Sequence, residues 1–160
     1  MKKTIVFILC IVIGLSAAAC GKKKEQEKSV YQIGETVTLK NWELTVTDVS
    51  FTDEKEDSGE KRVKVYCTGK NIGKKEATFF KSGIIFRKAD EPKLLYGDGY
   101  EYEAAYVLFD ENDLRNQKVI PLSSVSGYIQ FHVPEAVADS QEELIFRFSC
   151  GRDQAFFRLR

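Results

Sequence analysis

Apolar residues recur at every second position along most of this chain. Trp42, Leu44 and Val46 alternate with Glu43, Thr45 and Thr47, and Val63, Val65 and Cys67 alternate with Lys64, Tyr66 and Thr68. Val125, Gly127, Ile129, Phe131 and Val133 alternate with Ser126, Tyr128, Gln130 and His132 up to Pro134, and Leu144, Phe146 and Phe148 repeat the pattern. Successive side chains of a strand point to opposite faces, so each run predicts a half-buried strand. Residues 30–33, 36–40, 77–80, 83–87, 94–96, 100–109 and 155–159 are shorter strand candidates. At Asp48 the parity slips, because Val49 and Phe51 now carry the apolar face, which predicts a bulge. Gly97-Asp98-Gly99 suits a tight hairpin, residues 53–60 read as a polar loop, and residues 110–118 as a polar segment with room for one helical turn. Many short alternating strands without a long amphipathic helix predict an all-β, antiparallel sandwich.

The first twenty residues break this pattern. Lys2 and Lys3 precede an apolar run from Ile5 to Leu15, interrupted only by Gly14, and small residues follow up to Cys20. A spanning helix needs about 20 apolar residues, so the run reads as a cleaved export signal. Ala17 and Ala19 would satisfy ordinary cleavage, which releases a soluble protein. Ala17-Ala18-Ala19-Cys20 also resembles the lipobox of bacterial lipoproteins, with Ala17 where Leu is usual. That resemblance implies a diacylglycerol on the Cys20 thiol, and two acyl chains anchor firmly where one holds only reversibly. The expected organisation is a signal peptide over 1–19, a lipidated cysteine and charged linker over 20–29, and one sandwich domain over 30–160. The expected location is the extracytoplasmic face of the cell membrane.

Charge narrows the partners. The chain balances 24 Lys and Arg against 24 Asp and Glu, and losing Lys2 and Lys3 with the signal leaves a slight acidic excess. Nucleic acid is bound through a basic excess, so it is not expected as a partner.

The order of four motifs carries a further likeness. They are Tyr31-Gln-Ile-Gly-Glu-Thr-Val-Thr-Leu39, Trp42-Glu-Leu-Thr-Val-Thr-Asp-Val49, the run from Val65 ending Lys70-Asn-Ile-Gly73, and Ser126-Gly-Tyr-Ile-Gln-Phe-His-Val-Pro-Glu135. Residues 30–150 resemble the immunoglobulin-like domains of unknown function on Gram-positive lipoproteins, whose fold is shared with a secreted mycobacterial immunoprotective antigen. The resemblance implies an immunoglobulin-like sandwich outside the cell and supplies no catalytic or ligand-binding residues.

Candidate chemistry is sparse. Cys67 and Cys150 both fall on inward parities, which leaves two readings open. One is a disulfide, allowed outside the cytoplasm and stabilising by roughly 4.5 kcal/mol on chain-entropy grounds; the other is a pair of buried thiols. His132 is the only histidine and lies on an outward parity, so neither a metal site nor a histidine-based triad is expected. Asp110-Glu-Asn-Asp113 begins like a calcium loop, but Arg115 stands where that loop needs Gly and Pro121 where it needs Glu. Tyr96, Tyr100, Tyr102 and Tyr106 surround the glycine turn, and tyrosine offers contact area at low entropy cost. The expectation is therefore a non-enzymatic recognition module without a cofactor other than its lipid, taking an envelope protein, peptide or glycan. The rival readings are a cell-envelope hydrolase, for which Glu101 and Glu103 would be the carboxylates, and a small solute-binding lipoprotein.

Overall fold

Alternation decides which side of each strand is buried, and the computed structural model follows it closely. It describes residues 30–52, 58–80, 91–105, 107 and 110–160. In chain order the strands are β1 (Val30–Gln32), β2 (Thr36–Leu39), β3 (Trp42–Phe51), β4 (Glu60–Asn71), β5 (Ala77–Thr78), β6 (Lys93–Tyr96), β7 (Tyr100–Glu103), β8 (Lys118–Val119), β9 (Ser124–Pro134), β10 (Leu144–Cys150) and β11 (Asp153–Arg158). A single turn of helix, α1 (Glu135–Ala138), joins β9 to β10. One sheet runs β2-β3-β4-β9, the other β1-β11-β10-β6-β7, and β5 pairs with β8 alone.

Leu44, Val46, Val63, Val65, Ile129, Phe131 and Val133 are fully buried on the inner face of the first sheet. Leu94, Leu144, Phe146, Phe148 and Phe157 meet them from the second. Each such side chain contributes about 1.5–3 kcal/mol on burial. The expected bulge lies where the pairing of β3 with β4 shifts between Val46 and Asp48, which lets Val49 and Phe51 pack against the core beyond it.

The sandwich is antiparallel as expected, save that β1 runs parallel to β11, with Val30 opposite Phe156 and Gln32 opposite Arg158. The two readings of the cysteines are decided in favour of free thiols. Cys67 and Cys150 form no disulfide: Cys67 lies mid-sheet between Val46 and Gly127, whereas Cys150 ends β10 in the other sheet, opposite Asp153. Burial raises the Cys67 thiol far above its ordinary range, so it stays protonated. The segment after Asp110 makes no helical turn. Its backbone lies against β9, with Tyr128 N–H donating to Asn112 O at 2.9 Å and Leu114 N–H to Tyr128 O at 3.0 Å. The strand predicted over 100–109 ends at Glu103, after which Ala104 bridges to Phe131 and the chain crosses to the other sheet.

The strand directions give the sandwich two distinct ends. At one end lie Lys40 and Asn41 between β2 and β3, Gly151 and Arg152 between β10 and β11, and residues 120–123 between β8 and β9. The first and third of these are tied to the end of β4 by Ile72 N–H to Asn41 O (2.8 Å) and Leu122 N–H to Asn71 O (2.7 Å). At the other end lie the turn at 97–99, α1 and Arg160. There the Arg160 guanidinium donates to Ala138 O, Val137 O and Glu142 O at 2.9, 2.5 and 3.0 Å and sits 4.9 Å from the Phe51 ring centre. These bonds satisfy carbonyls that a one-turn helix leaves open. The start of β1 points to the first end.

Candidate recognition surface

The hairpin of β6 and β7 sits at the second end. Tyr96 pairs with Tyr100, Leu95 with Glu101 and Leu94 with Tyr102. Gly97 and Gly99 hold φ of 51° and 116°, and the second of these values is open essentially to glycine alone. Alternation puts Leu94, Tyr96, Tyr100 and Tyr102 on one face, yet their burial differs. Leu94 is fully buried, Tyr102 and Tyr96 are half-buried against the core, and Tyr100 is 65% exposed. Tyr96 donates to Ser140 Oγ at 3.0 Å, which fixes its ring, and the Tyr100 ring stands 6.5 Å from it. A fixed aromatic beside an exposed one makes a step that a partner could cover. Burial raises the Tyr102 hydroxyl above its ordinary value, with Tyr100 and Tyr96 adding to the shift. Tyr102 is therefore mainly a packing residue, and Tyr106 lies outside the described residues, as does Cys20.

The opposite face of the hairpin carries charge. Glu101 accepts from Lys93 at 2.7 Å and from Arg147 at 2.9 Å. The Lys93 hydrogen bond holds its carboxyl below the usual range, opposed by desolvation and reinforced by Arg147. A general acid needs the reverse shift.

The remaining candidates also have structural partners. Asp110 accepts from the Tyr128 hydroxyl and from Asn112 N–H, and buried Asp113 is bound by the Arg115 guanidinium, which also reaches Val107 O at 3.3 Å. Asp110, Asp113 and Arg115 line a cleft of about 430 Å³ with Val107, Glu111, Asn116 and Gln117. Among the described residues no group of His, Cys, Asp and Glu is placed to hold a metal ion. His132 is half-buried, 3.0 Å from the Gln130 amide and 3.8 Å from Glu60. A second cleft, of about 390 Å³, opens at the first end between Trp42, Phe79, Lys118, Ser149 and Cys150. No spacing in the chain signals it, since its walls come from four separate segments.

Tyr128 gives a prediction in pH. Burial, then the Asp110 hydrogen bond, push its hydroxyl up to about 12 from an ordinary 10. Between those values the folded chain keeps a proton that the unfolded chain releases, so stability falls as pH rises through that window. At the acid end the shift is opposite in kind. The Tyr128 hydrogen bond holds the Asp110 carboxyl low, so its contribution is present above the ordinary carboxylate pKa and lost as pH falls through the folded value. Phenolate absorbance is expected to show Tyr102 and Tyr128 titrating late, and the component near 12 to disappear in Tyr128→Phe. An unchanged titration in that variant would contradict the assignment.

Comparison with known proteins agrees with this architecture. The family described as a domain of unknown function, DUF4352, matches residues 31–155. No curated protein sequence matches the chain. Among solved structures, an uncharacterised β-sandwich protein from Clostridium difficile superposes with a TM-score of 0.58 at 18% identity, over 86% of this chain and 99% of that one. A secreted protein from Mycobacterium tuberculosis gives 0.57 at 11% identity, over 83% and 98%. A Bacillus subtilis protein provisionally described as a lipoprotein gives 0.54 at 17% identity, over 77% of this chain and 37% of that one. At these identities the likeness is one of fold.

Proposed function

The chain belongs to the DUF4352 family of domains of unknown function, and from that premise we propose that it is a lipid-anchored extracytoplasmic recognition module and not an enzyme. Cys20 carries the anchor, and the step of Tyr96 and Tyr100 receives an envelope protein, peptide or glycan. The observation that carries this reading is directional. The start of β1 points to one end of the sandwich, through its parallel pairing with β11, and the exposed Tyr100 stands at the other. An anchor ten residues before Val30 keeps the domain within about 36 Å of the membrane, and the direction of β1 favours the first end facing it with the tyrosines outward. Glu101, which two cations hold as a carboxylate, would not serve a hydrolase as its general acid.

Cross-linking on intact cells followed by mass spectrometry tests the reading. One recurrent envelope protein is expected, with capture reduced about tenfold or more by Tyr100→Ala, the scale of a central aromatic contact. Tyr102 is left in place because it packs on the core. Cys20→Ala is expected to move the protein from the membrane fraction to the medium. Capture that ignores Tyr100 would sink the recognition surface, and a Cys20→Ala protein still in the membrane would sink the lipid anchor.

A further inference from the structure

The end of the sandwich opposite the tyrosines is not a plain polar loop cluster. Its tip is Ile120-Pro121-Leu122, where Ile120 is 58% and Leu122 76% exposed. Leu122 adopts φ of 64°, a left-handed conformation that glycine or asparagine takes at lower cost than a bulky residue. The tip is held rigidly all the same: Leu122 N–H donates to Asn71 O at 2.7 Å, Asn71 N–H to Ser123 O at 3.0 Å, and Ser123 N–H to Ile120 O at 3.2 Å. An exposed, strained and firmly presented leucine is unexplained by packing.

Charge separates the two ends in the same sense. Lys74 and Lys75 are exposed on the turn after Asn71, with Lys40 and Arg152 on neighbouring turns, the latter followed by exposed Asp153, and Lys118 at the start of β8. Glu76 offsets Lys118 at 3.9 Å. The opposite end carries Asp98, Glu135, Asp139, Glu142 and Glu143. Of these, Asp139 pairs with Lys61 at 2.7 Å and Glu143 with Arg158 at 2.6 Å, beside Arg160, so the acidic excess there is small.

We infer that this basic end, with Ile120 and Leu122 at its tip, docks on an anionic lipid surface. The lysines meet the headgroups while the two apolar side chains enter the boundary with the acyl chains, the division of labour used by interfacial anchors. This rests on the anchored reading above, which sets the same end toward the membrane. Docking then does more than tether: it fixes the long axis of the sandwich and holds Tyr96 and Tyr100 away from the bilayer.

The test uses the full chain in vesicles, with Leu122→Trp as a reporter and Tyr100→Trp as its counterpart at the far end; the parent chain supplies the background of Trp42. Vesicles carry phosphatidylglycerol or phosphatidylcholine brominated in the acyl chains, and flotation is measured on the same samples. The tryptophan at position 122 is expected to lose emission in brominated phosphatidylglycerol and to keep it in brominated phosphatidylcholine. The counterpart at position 100 should keep its emission in both. Lys74→Glu combined with Lys75→Glu should restore the emission at position 122, since each lysine at an anionic surface is worth about fivefold in partition. A chain that floats while position 122 stays unquenched overturns docking and leaves the anchor standing. A chain that does not float overturns both. Equal quenching at both positions, or in both lipids, overturns the oriented or the anionic part of the inference respectively.

Discussion

Asn71→Leu is expected to destabilise the fold by about 3–5 kcal/mol and to lower the melting temperature by about 10–15 °C. Asn71 is completely buried, and all its polar atoms are used. Its amide nitrogen donates to Lys75 O at 2.9 Å and Val119 O at 2.8 Å, and its amide oxygen accepts from Gly73 N–H at 2.9 Å. Its backbone pairs with Ser123 and Leu122. Its side chain thus joins the end of β4, the turn after it and β8, and its backbone adds the approach to β9. Leucine matches the volume but orphans two carbonyls and one N–H, the Val119 carbonyl in a buried place and the other two in part-buried ones. Each orphaned buried group costs about 1–3 kcal/mol. Asn71→Asp sharpens the test, because it keeps the acceptor for Gly73 and turns both donor contacts into oxygen facing oxygen. Both variants should unfold at clearly lower denaturant than the parent, with unchanged m-value. A loss under about 1 kcal/mol in both would mean that water replaces the lost bonds, and that the node is not structural.

In the sequence, Asn71-Ile-Gly73 reads only as a turn, and that difference shows where sequence reading stops. What is local was legible. The long period-two runs place β3, β4 and β9 and their buried faces, the parity slip marks the bulge beside Asp48, and two glycines mark the hairpin of β6 and β7. What depends on distant partners was not. The parallel pairing of β1 with β11 joins residues far apart in the chain, so no window contains it. Residues 110–117 have no strand period because backbone bonds to β9 and the Asp113–Arg115 pair place them. The tyrosines show the same limit within one face. Tyr100 and Tyr102 share a parity, but Tyr102 sits opposite buried Leu94, whereas Tyr100 sits opposite Tyr96 beside the turn. Periodicity reports the direction of a side chain, and only the neighbours on that side decide its burial.

Gly69→Ala is the second large effect expected, about 2–3 kcal/mol of destabilisation from a single added methyl group. In most strands the same change would be neutral or favourable, since glycine has no side chain to pack and a greater entropy cost on folding. Here a Cβ would fall 2.1–2.6 Å from three ring carbons of Phe79, far inside any contact distance. The ring has little room to retreat: Phe80 and Trp42 hold it at centroid distances of 4.3 and 4.8 Å, with Phe148 behind at 5.9 Å. Moving Phe79 therefore moves the aromatic cluster that closes the core at this end. Gly69 is not in a left-handed conformation, so alanine brings no backbone strain and the loss measures the steric conflict alone. That attribution is testable through the partner. Phe79→Leu removes the atoms that collide, so the double variant should be less destabilised than the two single losses added together, by about 1 kcal/mol or more. Additivity within about 0.5 kcal/mol would show that the methyl group and the ring do not compete for the same space, and the absence of a side chain at Gly69 would then need another cause.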